Sequence, residues 1–260
     1  MDVWVVAVIG LFGLLVGSFL NVVIYRVPRG ESIVSPGSRC TNCGHELTWL
    51  ENVPVIAWIA LRARCRACKS SISVRYPLVE LATGALFALA AARIDRWAEL
   101  VAYLFAFAGL LALSAIDIDV QRVPVAVLYP TLGATAVMLA IAAGVDDRWD
   151  DLARAIAGAA IGFALLRLIH LASPRGMGYG DVRLAILCGL VLGWHGLTYV
   201  IVGIYSAFVL GAVVGVILIA VGRGKFGKSI PFAPYLAAAA IYVSLYGEPL
   251  ARFTKKLWGD

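Results

Sequence analysis

The chain alternates long apolar runs with short polar joints. Eight runs stand out: Val3–Tyr25, Tyr76–Ala92, Trp97–Ile116, Pro124–Gly144, Leu152–Leu171, Val182–Trp194, Leu197–Val221 and Pro231–Leu245. An α-helix rises about 1.5 Å per residue, so about 20 apolar residues cross the hydrocarbon of a bilayer. Several runs lie near the short limit, and the sixth is the shortest. The pattern predicts an all-α, polytopic integral membrane protein with about eight transmembrane helices. The first run is expected to stay in the protein as a span. Asp2 stands where a signal peptide has its basic start, and no small-residue cleavage site follows.

One stretch breaks the rhythm. Residues 26–75 form a polar, basic loop of about fifty residues, long enough to be either functional or disordered. The expected division is a first helix over 1–25, a loop domain over 26–75, a transmembrane core over 76–247 and a tail over 248–260.

Composition agrees with the pattern. Hydrophobic residues make up 62% of the 260 and charged residues only 15%, against about half and about a quarter in a soluble domain. Glycines four apart recur at Gly13/Gly17, Gly158/Gly162, Gly189/Gly193 and Gly211/Gly215, a spacing that lets helix backbones approach closely in lipid. Trp97, Trp149, Trp194 and Trp258 fall near run ends, as an interfacial belt requires.

The net charge is +6. If the 26–75 loop is cytoplasmic, alternate connections put Arg122, Arg175, Arg183, Arg223, Lys225 and Lys228 on its side as well. Arg93, Arg96, Arg148, Arg154, Arg252, Lys255 and Lys256 then fall opposite. The excess inside fits the positive-inside rule, with both termini outward. The charge is thus a topology signal beside membrane lipid, with no nucleic-acid footprint.

The loop reads CTNC at 40–43 and CRAC at 65–68. Two such knuckles at this separation direct Cys40, Cys43, Cys65 and Cys68 at one tetrahedral zinc ion. Four protein ligands leave no open position, so the zinc is structural and folds a loop without a core of its own. Two disulfides conflict with a reducing cytoplasm, and a thiol-redox site needs only one CxxC. His45 is read as a surface histidine and Cys188 as a small buried residue.

Ionisable residues at membrane depth are costly and commonly functional. The third run ends in SAIDIDVQRVP, which supplies Asp117 and Asp119, and Asp181 opens the sixth after the glycine-rich RGMGYGD. The topology puts these acids at one depth on one side. Two carboxylates so arranged suit an aspartic protease. One takes a proton from water while the other gives one to the scissile carbonyl, and closely spaced carboxylates share a proton. Gly178 and Gly180 would let bare backbone approach an extended peptide. The residues alone leave a second reading open, in which each acid caps or flanks a helix end.

Six segments in order resemble the bacterial type IV prepilin peptidases, membrane aspartic proteases with a GxGD signature. They are GSFLNVVIYRVP (17–28), the cysteine tetrad, ISVRYPLVEL (72–81), DIDVQRVP (117–124), GMGYGDVRL (176–184) and IPFAPYLA (230–237). The resemblance implies Asp117 and Asp181 as the catalytic pair, with Asp119 dispensable. It implies cleavage of the basic leader of type IV prepilins or type II secretion pseudopilins at the cytoplasmic face of the bacterial inner membrane. It also implies methylation of the new N-terminus from S-adenosylmethionine, an activity associated with the loop. The chain departs from the family at Ala63, where glycine is usual, at Arg64 for lysine, at Val125 for aspartate, and at Ala233 for glycine.

For the methyl donor the sequence offers Asn21, Arg26, Glu31, Asn52 and Arg62, with no glycine-rich strand–turn–helix motif. Glu80 reads as half of a structural bridge, with Arg75 as one partner, and His170 and His195 as interfacial. Rival classes make different demands. A transporter would show inverted repeats and midplane acids, and neither is visible. A thiol oxidoreductase would use redox-active cysteines without zinc. A docking scaffold would tolerate loss of both aspartates, and a peptidase lacking methyltransferase activity is the nearest alternative.

Overall fold

A computed structural model of the chain describes residues 1–174, 176–222 and 231–247. Arg175, the stretch 223–230 and the tail 248–260 lie outside the described residues, and with them Arg223, Lys225, Lys228, Ile230, Arg252, Lys255, Lys256 and Trp258.

Each of the eight apolar runs is a helix. They are α1 (Val3–Arg26), α3 (Arg75–Arg93), α4 (Trp97–Val120), α5 (Val125–Asp146), α6 (Trp149–Ala172), α7 (Tyr179–His195), α8 (Leu197–Ala220) and α9 (Ala233–Tyr246). A short α2 (Ile56–Ala60) lies within the long loop, and the only β-pairing among the described residues is two isolated bridges. The helices that begin at α1, α4, α5, α6 and α8 are long and apolar enough to cross a bilayer, while α9 is apolar but shorter.

Apolar side chains cover the outside as well as filling the core, unlike those of a protein in water. Leu11, Leu15 and Phe19 on α1 and Tyr205, Val213 and Val216 on α8 are exposed, whereas Asn21, Arg26, Glu80, Asp117 and Asp181 are buried. Apolar side chains outside and polar ones inside mark a surface solvated by lipid. This is a membrane protein.

The chain divides into two compact units, Met1–Leu100 and Val101–Asp260. In the first, α1 crosses α3 at backbone distance. A Cβ on Gly13 would stand 2.8 Å from the Phe87 Cβ, and one on Gly17 would stand 2.7 Å from the Glu80 Cα. In the second, α7 packs against α5, α6, α8 and α9. Its seam with α6 is again glycine on glycine: a Cβ on Gly158 would meet the Gly189 carbonyl oxygen at 2.5 Å. The glycine pairs in α1, α6 and α7 are packing surfaces, as their spacing predicts. α7 is buried on almost every side, which explains why an apolar helix of 17 residues needs no amphipathic face.

Candidate functional site

Both predicted acids sit within one turn of a helix end. α4 runs past Asp117 to Val120 and stops where Gln121 adopts φ 51°, its N–H donating to the Asp117 carbonyl. Asp117 therefore lies in the last turn of α4. Asp181 lies in the first turn of α7, its N–H donating to the Gly178 carbonyl at 3.1 Å. Both are buried, at 5% and 8% exposure. That is far below what a solvated capping residue shows. The Asp117 carboxylate is an electrostatic neighbour of Asp181, so the fold brings together two residues 64 apart in sequence. Asp119, one turn face away, is exposed.

The glycines account for this approach. A Cβ on Gly180 would stand 3.0 Å from the Val123 Cβ, so the start of α7 lies directly against the α4–α5 joint that follows Asp117. A Cβ on Gly178 would reach the Asp181 carboxylate at 3.3 Å. Gly180 thus sets a contact, and Gly178 keeps the acid uncrowded.

Two further supports were not legible in the sequence. The N–H of Ala233, the first residue of α9, donates to Asp117 Oδ2 at 3.2 Å. A helix N-terminus is a natural seat for a carboxylate. The donor is a backbone group 116 positions away, and no residue pattern announces it. His170, read from sequence as interfacial, bonds through Nδ1 to the Met177 carbonyl at 2.8 Å inside the glycine loop. Its ring also lies 5.6 Å from Tyr179. The other interfacial reading, His195, bonds through Nε2 to the Tyr103 hydroxyl at 2.8 Å.

The four loop cysteines converge. Their sulfurs lie within 4.8 Å of one another and none is in a disulfide. Cys40–Cys68 and Cys43–Cys65 are 3.9 and 4.0 Å apart, against about 3.8 Å for a tetrahedron of sulfurs about 2.3 Å from zinc. The donor set and its spacing fit a structural zinc ion.

The two knuckles are built alike. The N–H of Cys40 donates to the His45 carbonyl and that of Cys65 to the Ser70 carbonyl, both at 2.8 Å, while Gly44 and Lys69 close the turns at φ 74° and 60°. Hydrogen bonds from Ser70, then Asn42, hold the Cys68 thiol down at about 5. The N–H groups of Cys43 and Asn42 lower Cys40. Despite the His45 N–H, burial and the neighbouring thiols push Cys43 up to about 11, so without metal the thiolate form, which binds metal, is favoured at Cys40 and Cys68.

The same unit encloses a cavity of about 710 Å³ between the α1–α3 pair and the loop. Of the methyl-donor candidates, Asn21, Arg26, Glu31 and Asn52 line it; Arg62 does not. Arg26 is already committed: its guanidinium donates to the carbonyls of Ser32, Pro36 and Gly37 at 2.8–2.9 Å and clamps the loop. Glu80 accepts the Val55 N–H at 2.8 Å, with Ser18 and Asn21 beside it. This acid anchors α3 to the loop through a main-chain N–H, where the sequence reading gives it a basic partner such as Arg75.

Comparison with known proteins agrees in both units. The bacterial peptidase A24 N-terminal domain matches residues 11–94, and the type IV leader peptidase family matches residues 104–216. A prepilin leader peptidase/N-methyltransferase of Pseudomonas putida is 37% identical over 95% of this chain and 92% of its own length. The chain belongs to the type IV leader peptidase family. A family member of the same description from Myxococcus xanthus is 44% identical over 81% of this chain and 62% of its own length, and one from Stutzerimonas stutzeri 36% over 92% and 89%. No solved structure matches this leader peptidase. Membership makes the protein a peptidase and sets aside the transporter, oxidoreductase and scaffold classes.

Proposed function

We propose that this peptidase removes the basic leader of a type IV prepilin or type II secretion pseudopilin at the cytoplasmic face of the bacterial inner membrane, then methylates the new N-terminus. All eight long helices are read as spans, with the basic 26–75 loop inside. The observation that carries the cleavage reading is the pair of buried neighbouring carboxylates, Asp117 and Asp181, at two helix ends.

In this mechanism one carboxylate is ionised and the other protonated. The ionised acid takes a proton from water, and the water oxygen attacks the scissile carbonyl. The protonated acid gives its proton to the carbonyl oxygen. Collapse of the tetrahedral intermediate breaks the C–N bond and releases the leader's carboxylate and the stem's amine. Ala233 N–H orients Asp117, and Gly178 leaves room for substrate backbone. Zinc bound by Cys40, Cys43, Cys65 and Cys68 contributes folding, with no part in proton transfer. S-adenosylmethionine, when bound, supplies the methyl group for the new amine.

The test is a reconstituted assay with a prepilin peptide spanning leader and stem, read by intact mass. Asp117→Asn and Asp181→Asn should each lose at least about a thousandfold in cleavage, while Asp119→Asn stays near wild type. Adding S-adenosylmethionine should shift the cleaved stem by one methyl group. Full cleavage by Asp181→Asn would return that residue to the role of a helix cap, and an unshifted stem would leave a peptidase alone.

A further inference from the structure

A glycine loop is poorly equipped to hold itself. Gly176, Gly178 and Gly180 bring no side chains, and glycine loses more conformational freedom on ordering than any other residue. Gly178, the residue before α7, offers no side-chain cap to that helix. Yet the loop has to set Asp181 beside Asp117. It has two ties of its own: the Gly176 N–H donates to the Ser173 carbonyl at 3.0 Å, and Met177 is buried.

The external ties come from one face of α6. His170 lies in the last turn of α6, and Arg167 precedes it by three residues, so the two share a face. His170 Nδ1 donates to the Met177 carbonyl at 2.8 Å. A carbonyl only accepts, so the proton sits on Nδ1, and the bond persists whether Nε2 is bare or protonated. The imidazole stands 5.6 Å from the Tyr179 ring. Arg167 lies over the same ring at 5.3 Å, and Arg183, one turn along α7, at 4.6 Å. Met177 and Tyr179 are the two chain neighbours of Gly178. His170 therefore meets the loop on both sides of the glycine whose carbonyl accepts the Asp181 N–H at 3.1 Å. Moving Gly178 moves Asp181.

Resting on the cleavage reading above, we propose that His170 is a positioning residue for the reaction. It holds Met177 and Tyr179, and through Gly178 it sets where Asp181 stands against Asp117. The acid–base work stays with the two carboxylates, because the Nδ1–H is committed to a main-chain carbonyl in both charge states of the ring. A plain packing role would make ring volume decisive and the donor irrelevant. The bond to a carbonyl of the glycine loop makes the donor decisive instead.

Three variants separate donor from ring. His170→Asn keeps an N–H donor near the place of Nδ1 and loses the ring. His170→Phe keeps a ring against Tyr179 and loses the donor, and His170→Ala loses both. With full-length enzyme and the prepilin peptide, the Ala and Phe variants should lose about ten- to a hundredfold in kcat with KM within about twofold, while His170→Asn stays within about threefold of wild type. Inactive enzyme lowers a pH–rate profile without moving its limbs. A displaced Asp181 changes how the two acids share a proton, so the limbs of the Ala and Phe profiles should move. Hydrogen exchange adds a readout without turnover: the amides of residues 177–181 should exchange about tenfold faster in the Ala and Phe variants, with α8 unchanged and His170→Asn like wild type. Losses in His170→Asn as deep as in His170→Phe, limbs that stay in place, or unchanged exchange would overturn the assignment. A wild-type enzyme that leaves the peptide uncut would overturn the cleavage reading, and the exchange comparison would still decide whether His170 holds the loop.

Discussion

The zinc loop and helix α7 solve the same problem, placing chemical groups within ångströms, by opposite means. Between residues 27 and 74 only Pro54, Ala57 and Cys65 are buried, too few for a core. The loop is held instead by converging sulfurs, two matched turns, the Arg26 clamp and the Glu80–Val55 hydrogen bond. α7 has few such ties, chiefly those of the Tyr103 hydroxyl with the Val191 carbonyl and His195. It is fixed by burial on nearly every face and by backbone contact through Gly189 and Gly193. A scaffold of ties fails at one knot, whereas a packed helix resists unless its contact surface is changed.

Removing the metal tests the first half most severely. Structural zinc in a coreless module is worth on the order of 10 kcal/mol. Chelation should therefore expose the amides of residues 38–73 to hydrogen exchange and leave those of α7 protected. Equal loss of protection in both regions would show that the loop and α7 are not held independently.

A smaller effect is expected from Gly189→Val. Its Cβ would stand 2.8 Å from the Gly158 carbonyl carbon and 3.0 Å from the Ala159 Cα, so α6 must shift. Thermal unfolding in detergent should fall by the equivalent of about 1–3 kcal/mol, with zinc content unchanged. An unshifted melting curve would mean that α6 and α7 are not in backbone contact.

The smallest effect sharpens the contrast within the loop. Ala63 has φ 57°, a conformation that favours glycine, and its N–H donates to the Trp58 carbonyl as α2 ends. A left-handed alanine costs about 1 kcal/mol. Ala63→Gly should therefore slow zinc loss to a chelator by a few-fold, and an unchanged or faster rate would locate the strain elsewhere.

How much of this was legible follows from the kind of signal. Apolar length located all eight long helices within a few residues, because burial in lipid is a composition effect. The tetrad was legible because CxxC is a local geometry. The two acids could be named from position, but 64 residues of separation say nothing of contact, and the Gly180–Val123 approach that brings them together depends on a neighbour's shape. Arg26 reads as a ligand residue because it is a polar residue at the first span end; its three carbonyl partners come from a turn that no pattern marks. The Ala233 and Val55 donors are backbone groups, which every residue carries.

The enclosure of α7 also bears on how the protein is made. A helix of 17 residues with an acid in its first turn and glycines along its seam gains little by entering lipid unaccompanied. During synthesis it is sheltered on one side by α6, already emerged, and on the other by α8, which follows after Gly196. The three are therefore best delivered to the bilayer as one hairpin-like package, and the acid at the head of α7 acquires its surroundings only once all three have arrived.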